Sequence, residues 1–430
     1  MTTILATRRL RVGAALPLGD AILVVGAGGP IPLPEGSDQT YPFRSHAEYY
    51  YLAGHECAGG IMAFDPRDAG TAEGGWKSFV PAVTEGERVW EGRSQLPGLQ
   101  LADFEAWLSA RRNRTVANLG AQVRDIVSDA TLSAAVREAF RHARRIKDEA
   151  EVGLIRRAAV ATAAGYEKLR TLIRPGATER SLQIELEAEF ARGGATRPGY
   201  GTIIGGGPNA AVLHFEPSAR IVRANEFVLV DAGAEIDRYM ADVTRTFVAG
   251  TPSSFQRDLH QTVLRAEQRA IASCVAGAEW KEIHLAAAVD LVTGLVDMGV
   301  MRGDPETLVA TEAHTLFFPH GLGHMVGLGV RDGSGLAPGR QKDPRPSLRT
   351  LRMDLPLAPG HVVTVEPGLY FIPPLLNDPA RRARYRDCVN WTLVDQYQDL
   401  GGVRIEDNVL VTTGAPEVLT AGIPKSLTVG

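Results

Sequence analysis

VDAGAEIDRYMADVTRTF (230–247) is the stretch on which the reading of this chain turns. The apolar run FVLV (227–230) ends in Asp231, and Asp242 opens the next β-type run. An aspartate at the end of a buried strand is costly unless it is paired or binds a metal. The two aspartates are eleven positions apart. A straight strand of that length would span roughly 36 Å at ~3.3 Å per residue, too far to share an ion. Gly233 and the polar run EIDR between them predict a hairpin that brings the two carboxylates side by side. The plainer reading is a pair of solvated turn aspartates.

Three later stretches bear on that choice: PHGLGHMVGLGVRD (319–332), VVTVEPGLY (362–370) and VRIEDNVLVT (403–412). His320 and His324 are four apart, which puts both on one side of a helix or a strand. Gly321 and Gly323 argue against a helix and let the backbone approach a ligand closely. Glu366 ends a strand-like run, where Pro367 stiffens the chain. Around Glu406, alternation puts Arg404, Glu406 and Asn408 on one face and Val403, Ile405, Asp407 and Val409 on the other. Glu406 there reads equally as a solvated charge or as an ion pair with Arg404.

In chain order, Asp231, Asp242, His324, Glu366 and Glu406 offer one imidazole and four carboxylates. That set suits a pair of hard or borderline divalent cations. Two metals together lower the pKa of a shared water and clamp a reacting bond, so a metallohydrolase is expected. His214, in NAAVLHFEPSAR, reads either as a turn-proximal histidine or as a donor to substrate.

The bulk numbers agree with an enzyme. The chain has 430 residues, 44% hydrophobic and 22% charged, which predicts two domains, or one large domain with an appendage, and a well-filled core. A net charge of −4 leaves no footprint for nucleic acid. Cys57, Cys274 and Cys388 lie far apart, so a disulfide framework is not expected and a reducing cytoplasm is. ArgArg at 8–9 loosely mimics a leader. Pro17, Gly19 and Asp20 interrupt it, and ALPLGDAILVVGAG reads better as a turn followed by a buried parallel strand at 21–25. No uninterrupted apolar run of ~18 residues predicts a membrane helix.

Strand-like runs at 21–25, 59–64 and 78–82 alternate with helical spacing at 102–113 and 132–146, an α/β pattern with no catalytic cluster. A boundary is expected near residue 145, separating domains 1–144 and 145–430. In the second, helices at 145–169 and 178–194 precede β-type segments, and helices at 253–277 and 280–299 precede more. The arrangement is roughly twofold.

The second domain resembles the pita-bread metallopeptidases of family M24, such as methionine aminopeptidase, prolidase and aminopeptidase P. HGLGHMVGLGV, VEPGLY and RIEDNV carry the resemblance. YPFRSHAEYYYLAGH (41–55), SFVPA and RVWEG resemble the N-terminal domain of aminopeptidase P and the creatinases. The resemblance implies an α/β (α+β) architecture: that N-terminal domain followed by a pita-bread catalytic domain. It implies an Xaa-Pro aminopeptidase-like exopeptidase acting on peptides, with no nucleic-acid or membrane partner, and self-association into a dimer or tetramer. It further implies two divalent ions, manganese first, with cobalt, zinc or iron as alternatives. Asp231 would hold one metal, Asp242 and Glu406 would bridge, and His324 and Glu366 would complete the other shell. Glu366 would also carry a proton to the leaving nitrogen. His214 and His320 would serve the pocket. One departure stands out: Arg331 occupies the position where aminopeptidase P and prolidase usually have a histidine. Arginine is not an acid–base group at neutral pH, so Arg331, with Arg404, is a candidate for holding substrate, and strict proline preference is left open. The competing readings are prolidase, a creatinase-like hydrolase without metal, and a pita-bread module that only binds peptides or partners.

Overall fold

The computed structural model describes residues 2–34, 36, 39–71 and 73–429, and the chain divides into two units, Met1–Arg144 and Arg145–Gly430. The first contains α1 (Thr2–Ala15), β1 (Ile22–Gly26), α2 (Ala47–Ala53), β2 (Ile61–Phe64), β3 (Trp76–Val80), α3 (Glu85–Glu91), β4 (Leu99–Gln100), α4 (Asp103–Ser109), β5 (Val116–Gly120) and α5 (Ala130–Ala143). Its sheet has the order β4-β3-β2-β1-β5. Every residue of β1 is buried, as its apolar run predicts. The sheet is mixed, however: β1 runs parallel to β5 but antiparallel to β2. A run covered on both faces does not encode the direction of its neighbours.

The leader-like stretch is divided between α1, which carries Arg8 and Arg9, and β1. Arg9 Nε donates to the Leu52 carbonyl at 2.8 Å, and Trp76 Nε1 donates to the Arg9 carbonyl at 2.9 Å. These partners are distant in sequence, which is why local reading does not find the helix.

The second unit contains α6 (Glu149–Arg170), α7 (Glu179–Arg192), β6 (Arg197–Pro198), β7 (Ile203–Gly206), β8 (Phe227–Asp231), β9 (Ala234–Ile236), β10 (Tyr239–Met240), β11 (Thr244–Val248), α8 (Ser254–Ala272) and α9 (Trp280–Asp297). Further on lie β12 (Val362–Val365), β13 (Gly368–Tyr370), β14 (Gly402–Arg404), β15 (Asp407–Leu410) and β16 (Glu417–Val418). Capping boxes start α6 at Asp148, α7 at Thr178 and α8 at Ser253. Each satisfies two orphan helix donors and contributes about 1 kcal/mol.

β8 is covered on both sides. Val228 and Val230 pack against Tyr166, Leu186 and Phe190 of the α6–α7 pair. Phe227 and Leu229 pack against Leu259, Val263 and Leu291 of the α8–α9 pair. That explains a continuous apolar run instead of alternation. β8 is the middle strand of β11-β8-β7, and β15 is the middle strand of β12-β15-β16. A single bridge, Thr244 to Glu406, ties the first sheet to the break between β14 and β15. No helix among the described residues is long and apolar enough to cross a membrane. All three cysteines are free.

Candidate metal centre

Asp231 is the last residue of β8 and pairs with Thr244 of β11. Between them β9 and β10 form the hairpin read from the sequence. Its turn residues, Asp237 and Arg238, have φ of 48° and 73°, a pair of left-handed residues typical of a two-residue hairpin turn. Asp242 does not open β11 but lies in the link two residues before it. A Cβ on Gly233 would sit 1.9 Å from the Ala241 carbonyl oxygen, so this crossing of segments requires glycine. The Asn408 side chain fixes Asp242 from the other side, accepting from its N–H at 2.9 Å and donating to its carbonyl at 2.7 Å. Asp231 and Asp242 are 9% and 4% exposed. The solvated-turn reading is therefore overturned.

His324 is held against β12. Its N–H donates to Thr364 Oγ1 at 3.0 Å, and its carbonyl accepts from the Thr364 N–H at 2.7 Å. Glu366 N–H donates to the Leu322 carbonyl at 2.8 Å. A Cβ on Gly323 would lie 2.1 Å from the Thr364 carbonyl oxygen, which explains a glycine between Leu322 and His324. His324 Nδ1 lies 3.0 Å from the Met325 carbonyl, which assigns the proton to Nδ1. Nε2 is left with its lone pair, 3.5 Å from Asp242 Oδ2 and 3.7 Å from Glu366 Oε1.

Glu406 is 2% exposed and sits in the break before β15. Neither the solvated reading nor strict alternation holds there, because both faces of 401–409 are buried. Nor does Glu406 pair with Arg404. It accepts from Thr244 Oγ1 at 2.6 Å, and that hydroxyl accepts from Arg404 Nε at 3.0 Å. Arg404 instead pairs with Asp231 Oδ2 at 2.6 Å and donates to Tyr370 OH at 2.9 Å. Tyr370 OH lies 2.9 Å from His320 Nε2, while His320 Nδ1 lies 2.8 Å from the Gly321 carbonyl. With the proton on Nδ1, Tyr370 donates to Nε2 and accepts from Arg404. Both nitrogens of His320 thus face the protein. Tyr200 OH donates to Asp231 Oδ1 at 2.7 Å.

Beneath Glu406 lies a buried latch. Arg245 donates to the Glu406 carbonyl at 2.6 Å, to Asp407 Oδ1 at 2.8 Å and to the Ile423 carbonyl at 2.8 Å. Lys425 Nζ is 2.5 Å from both Asp407 Oδ2 and Glu267 Oε1. Thr420 Oγ1 donates to Asp407 Oδ1 at 2.6 Å. Residues 420–425 are therefore part of the frame of Glu406.

The carboxylates line one cavity of about 600 Å³ together with His214, His320, Arg331, Arg352 and Arg404. Single ligand atoms of Asp242, His324 and Glu406 lie within 4.8 Å of one another. Burial, with the charge of Asp231, pushes Asp242 up to about 7. Burial pushes Glu366 up to about 7 against the pull of Arg404. Burial, then Asp242 and Glu366, pushes Glu406 well above the carboxylate range. Burial holds His320 down at about 3 and also lowers His324. Such carboxylates can all ionise only around a cation. With the free Nε2 of His324, this donor set fits divalent metal ions. His214 and Arg331 are exposed at the cavity rim. Sequence reading did not assign roles to Tyr200, Thr244, Tyr370, Asn408 and Arg352. Tyr370 stands inside the VEPGLY motif, four residues after Glu366, which was the available signal.

Comparison with known proteins gives a consistent set of similarities. Residues 153–413 match the profile of metallopeptidase family M24, and residues 5–133 that of the aminopeptidase P N-terminal domain. A probable Xaa-Pro aminopeptidase of Tuber melanosporum is 32% identical over 401 residues, covering 90% of this chain and 86% of that protein. Aminopeptidase PepP of Pseudomonas aeruginosa superposes with a TM-score of 0.78 at 27% identity, over 99% of this chain and 96% of that one. A substrate complex of a variant aminopeptidase P from Escherichia coli gives 0.77 at 26% identity, over 98% and 94%.

Proposed function

The chain belongs to metallopeptidase family M24 and is a metal-dependent aminopeptidase, and on that premise we propose that it releases the residue ahead of proline, using two divalent ions held by Asp231, Asp242, His324, Glu366 and Glu406. The observation that carries this reading is the convergence of four carboxylates and one unprotonated His324 Nε2 on a single cavity. Bound there, the metal pair supplies activated water at neutral pH and polarises the scissile carbonyl. Asp242 and Glu406 are the bridging candidates. His324 and Glu366 would complete the shell of one ion, and Asp231 would hold the other.

The surrounding residues hold this set in place. Arg404 spans Asp231, Thr244 and Tyr370, and Thr244 hands that constraint on to Glu406. His320, accepting from Tyr370, keeps the Arg404 fork oriented and contributes its ring to the cavity wall. Glu366 is the proton carrier to the leaving nitrogen, and the exposed imidazole of His214 the donor to substrate. Manganese is the first choice of metal because the donor set is mostly carboxylate oxygen. Free cysteines accord with a cytoplasmic setting. Self-association is supported by Val89 and Trp90, 73% and 87% exposed on the short helix α3, an apolar surface suited to a partner subunit.

The test is hydrolysis by metal-stripped protein reloaded separately with manganese, cobalt, zinc or iron. Substrates are Xaa-Pro dipeptides, longer Xaa-Pro-Yaa peptides and their alanine counterparts. Cleavage of the longer proline peptides, restored best by manganese, is expected. Cleavage of dipeptides alone would make the enzyme a prolidase, and equal cleavage ahead of alanine would remove the proline preference. Absence of any metal-dependent cleavage would overturn the reading.

A further inference from the structure

The segment 207–217 leaves β7 at Gly206 and returns at Ser218, and Leu213, His214, Phe215 and Glu216 on it line the cavity of the candidate metal centre. His214 is exposed, and its imidazole has no hydrogen-bond partner among the described residues. Its place over the cavity therefore depends on the backbone that carries it. That backbone is tied at both ends to one side chain. Glu179, the first residue of α7, is fully buried. Its Oε1 accepts from the Gly206 N–H at 2.9 Å and from Asn209 Nδ2 at 2.8 Å. Its Oε2 accepts from the Ser218 N–H at 3.2 Å and from Ser218 Oγ at 2.6 Å. All the acceptor sites of the carboxylate are thus used, half on each end of the loop. A loop closed at its neck in this way is held as a unit.

A second side-chain link from α7 to the loop is weak. Arg180 Nη2 stands 3.8 Å from Glu216 Oε1, and Glu216 is almost wholly in water, where such a pair contributes little. Glu179 itself lies outside the cavity lining, and its hydrogen bonds go to the loop and not to a candidate metal ligand. We propose that Glu179 is a positioning residue of the reaction: by closing the neck of 207–217 it sets His214 over the metal centre, so that its loss is felt at His214 and not at the metal. This rests on the peptidase reading above and adds to it a residue outside the cavity. Glu179→Gln is the informative change. It keeps the shape of the side chain but turns one acceptor into a donor, which sets an –NH2 group against the backbone N–H at one end of the loop and releases that end.

The experiment is a double-mutant cycle on the manganese-loaded enzyme with Ala-Pro-Ala as substrate: parent, H214A, E179Q and E179Q/H214A. Loss of a donor to substrate should lower kcat/KM by about a hundredfold in H214A, and displacement of that donor by about tenfold in E179Q. Independent effects would multiply to about a thousandfold, whereas the double variant should be no lower than H214A alone. Manganese retained after dialysis should match the parent in every variant, and R180Q should keep the parental kcat/KM. S218A deletes one donor and leaves the carboxylate in place. It should repeat the pattern on a smaller scale, and it takes the place of E179Q if that variant does not fold. Full activity in E179Q, full activity in H214A, the multiplied loss in the double variant, or loss of manganese in E179Q overturns the positioning role. If the parent hydrolyses no peptide, the peptidase reading falls alone and hydrogen exchange decides the clamp. Backbone amides within 207–217 should then exchange about tenfold faster in E179Q than in the parent, with those of 227–231 unchanged. Faster exchange confined to the loop would still support the clamp, and equal protection would overturn it.

Discussion

Asn408 shows how much of this centre is carried by a side chain that touches no candidate metal. Its amide satisfies both backbone groups of Asp242, which are buried and have little access to water. Asn408→Ala leaves a donor and an acceptor unpaired, at about 1–3 kcal/mol each. Denaturant unfolding should show that loss, and metal analysis after dialysis should show reduced retention. Unchanged retention would mean that Asp242 is positioned by the hairpin alone. Arg404→Lys makes a sharper test. Lysine keeps the charge but cannot span Asp231, Thr244 and Tyr370 together. A fall in kcat of about a hundredfold, with KM little changed, is expected for a group that sets geometry. The candidates Asp231, Asp242, His324, Glu366 and Glu406 were legible because each stands beside an apolar run or a glycine-rich turn, where a charge has no ordinary reason to be. Asn408, Thr244 and Tyr200 were not. Their roles arise from contacts such as Thr244 with Glu406, 162 positions apart, and local pattern carries no trace of such a meeting.

Elements carry a different kind of information. The β9–β10 hairpin was readable from glycine and polar turn residues, and so were the capped helices α6, α7 and α8. The reading of 403–409 as one alternating strand failed because the strand breaks at Ile405 and Glu406 to change partners, from β13 to β12. Burial on both faces then erased the alternation. The close crossings at Gly233 and Gly323 make the element-scale prediction. Gly233→Ala and Gly323→Ala each force a methyl against a backbone oxygen at 1.9 and 2.1 Å, where no side chain can yield. Each should cost about 3 kcal/mol or more in urea unfolding, since strands would have to separate. A loss below ~1 kcal/mol would show that the hairpin or the glycine-rich loop shifts freely.

Across the whole second unit, buried histidines make a contribution to stability that acid removes. His284 and His314 are 1% exposed, and none of their four ring nitrogens has a hydrogen-bond partner among the described residues. Burial holds His284 at about 3 and His314 at about 4, and it lowers His260 and His361 to about 4. These folded-state values lie below the ordinary 6.5, so the unfolded chain takes up protons first. The associated stability is complete above pH 6.5 and drains away as pH falls toward 4, by about 1.4 kcal/mol per unit for each histidine. The raised carboxylates Asp242 and Glu366 act in the opposite direction over the same window, so the test is a difference: thermal unfolding between pH 7 and 4.5 should show His284→Leu losing about 1.4 kcal/mol per pH unit less than the parent, and an identical slope in the two proteins would assign the loss elsewhere. The latch beneath Glu406 bears on biosynthesis. A nascent chain that has already delivered all five candidate ligands still lacks residues 420–425, and with them Lys425, Thr420 and the carbonyl of Ile423. Until those residues emerge, Asp407 and Arg245 have no complete frame to hold Glu406. A chain cut off before residue 420 is therefore expected to retain less metal after dialysis than the full chain.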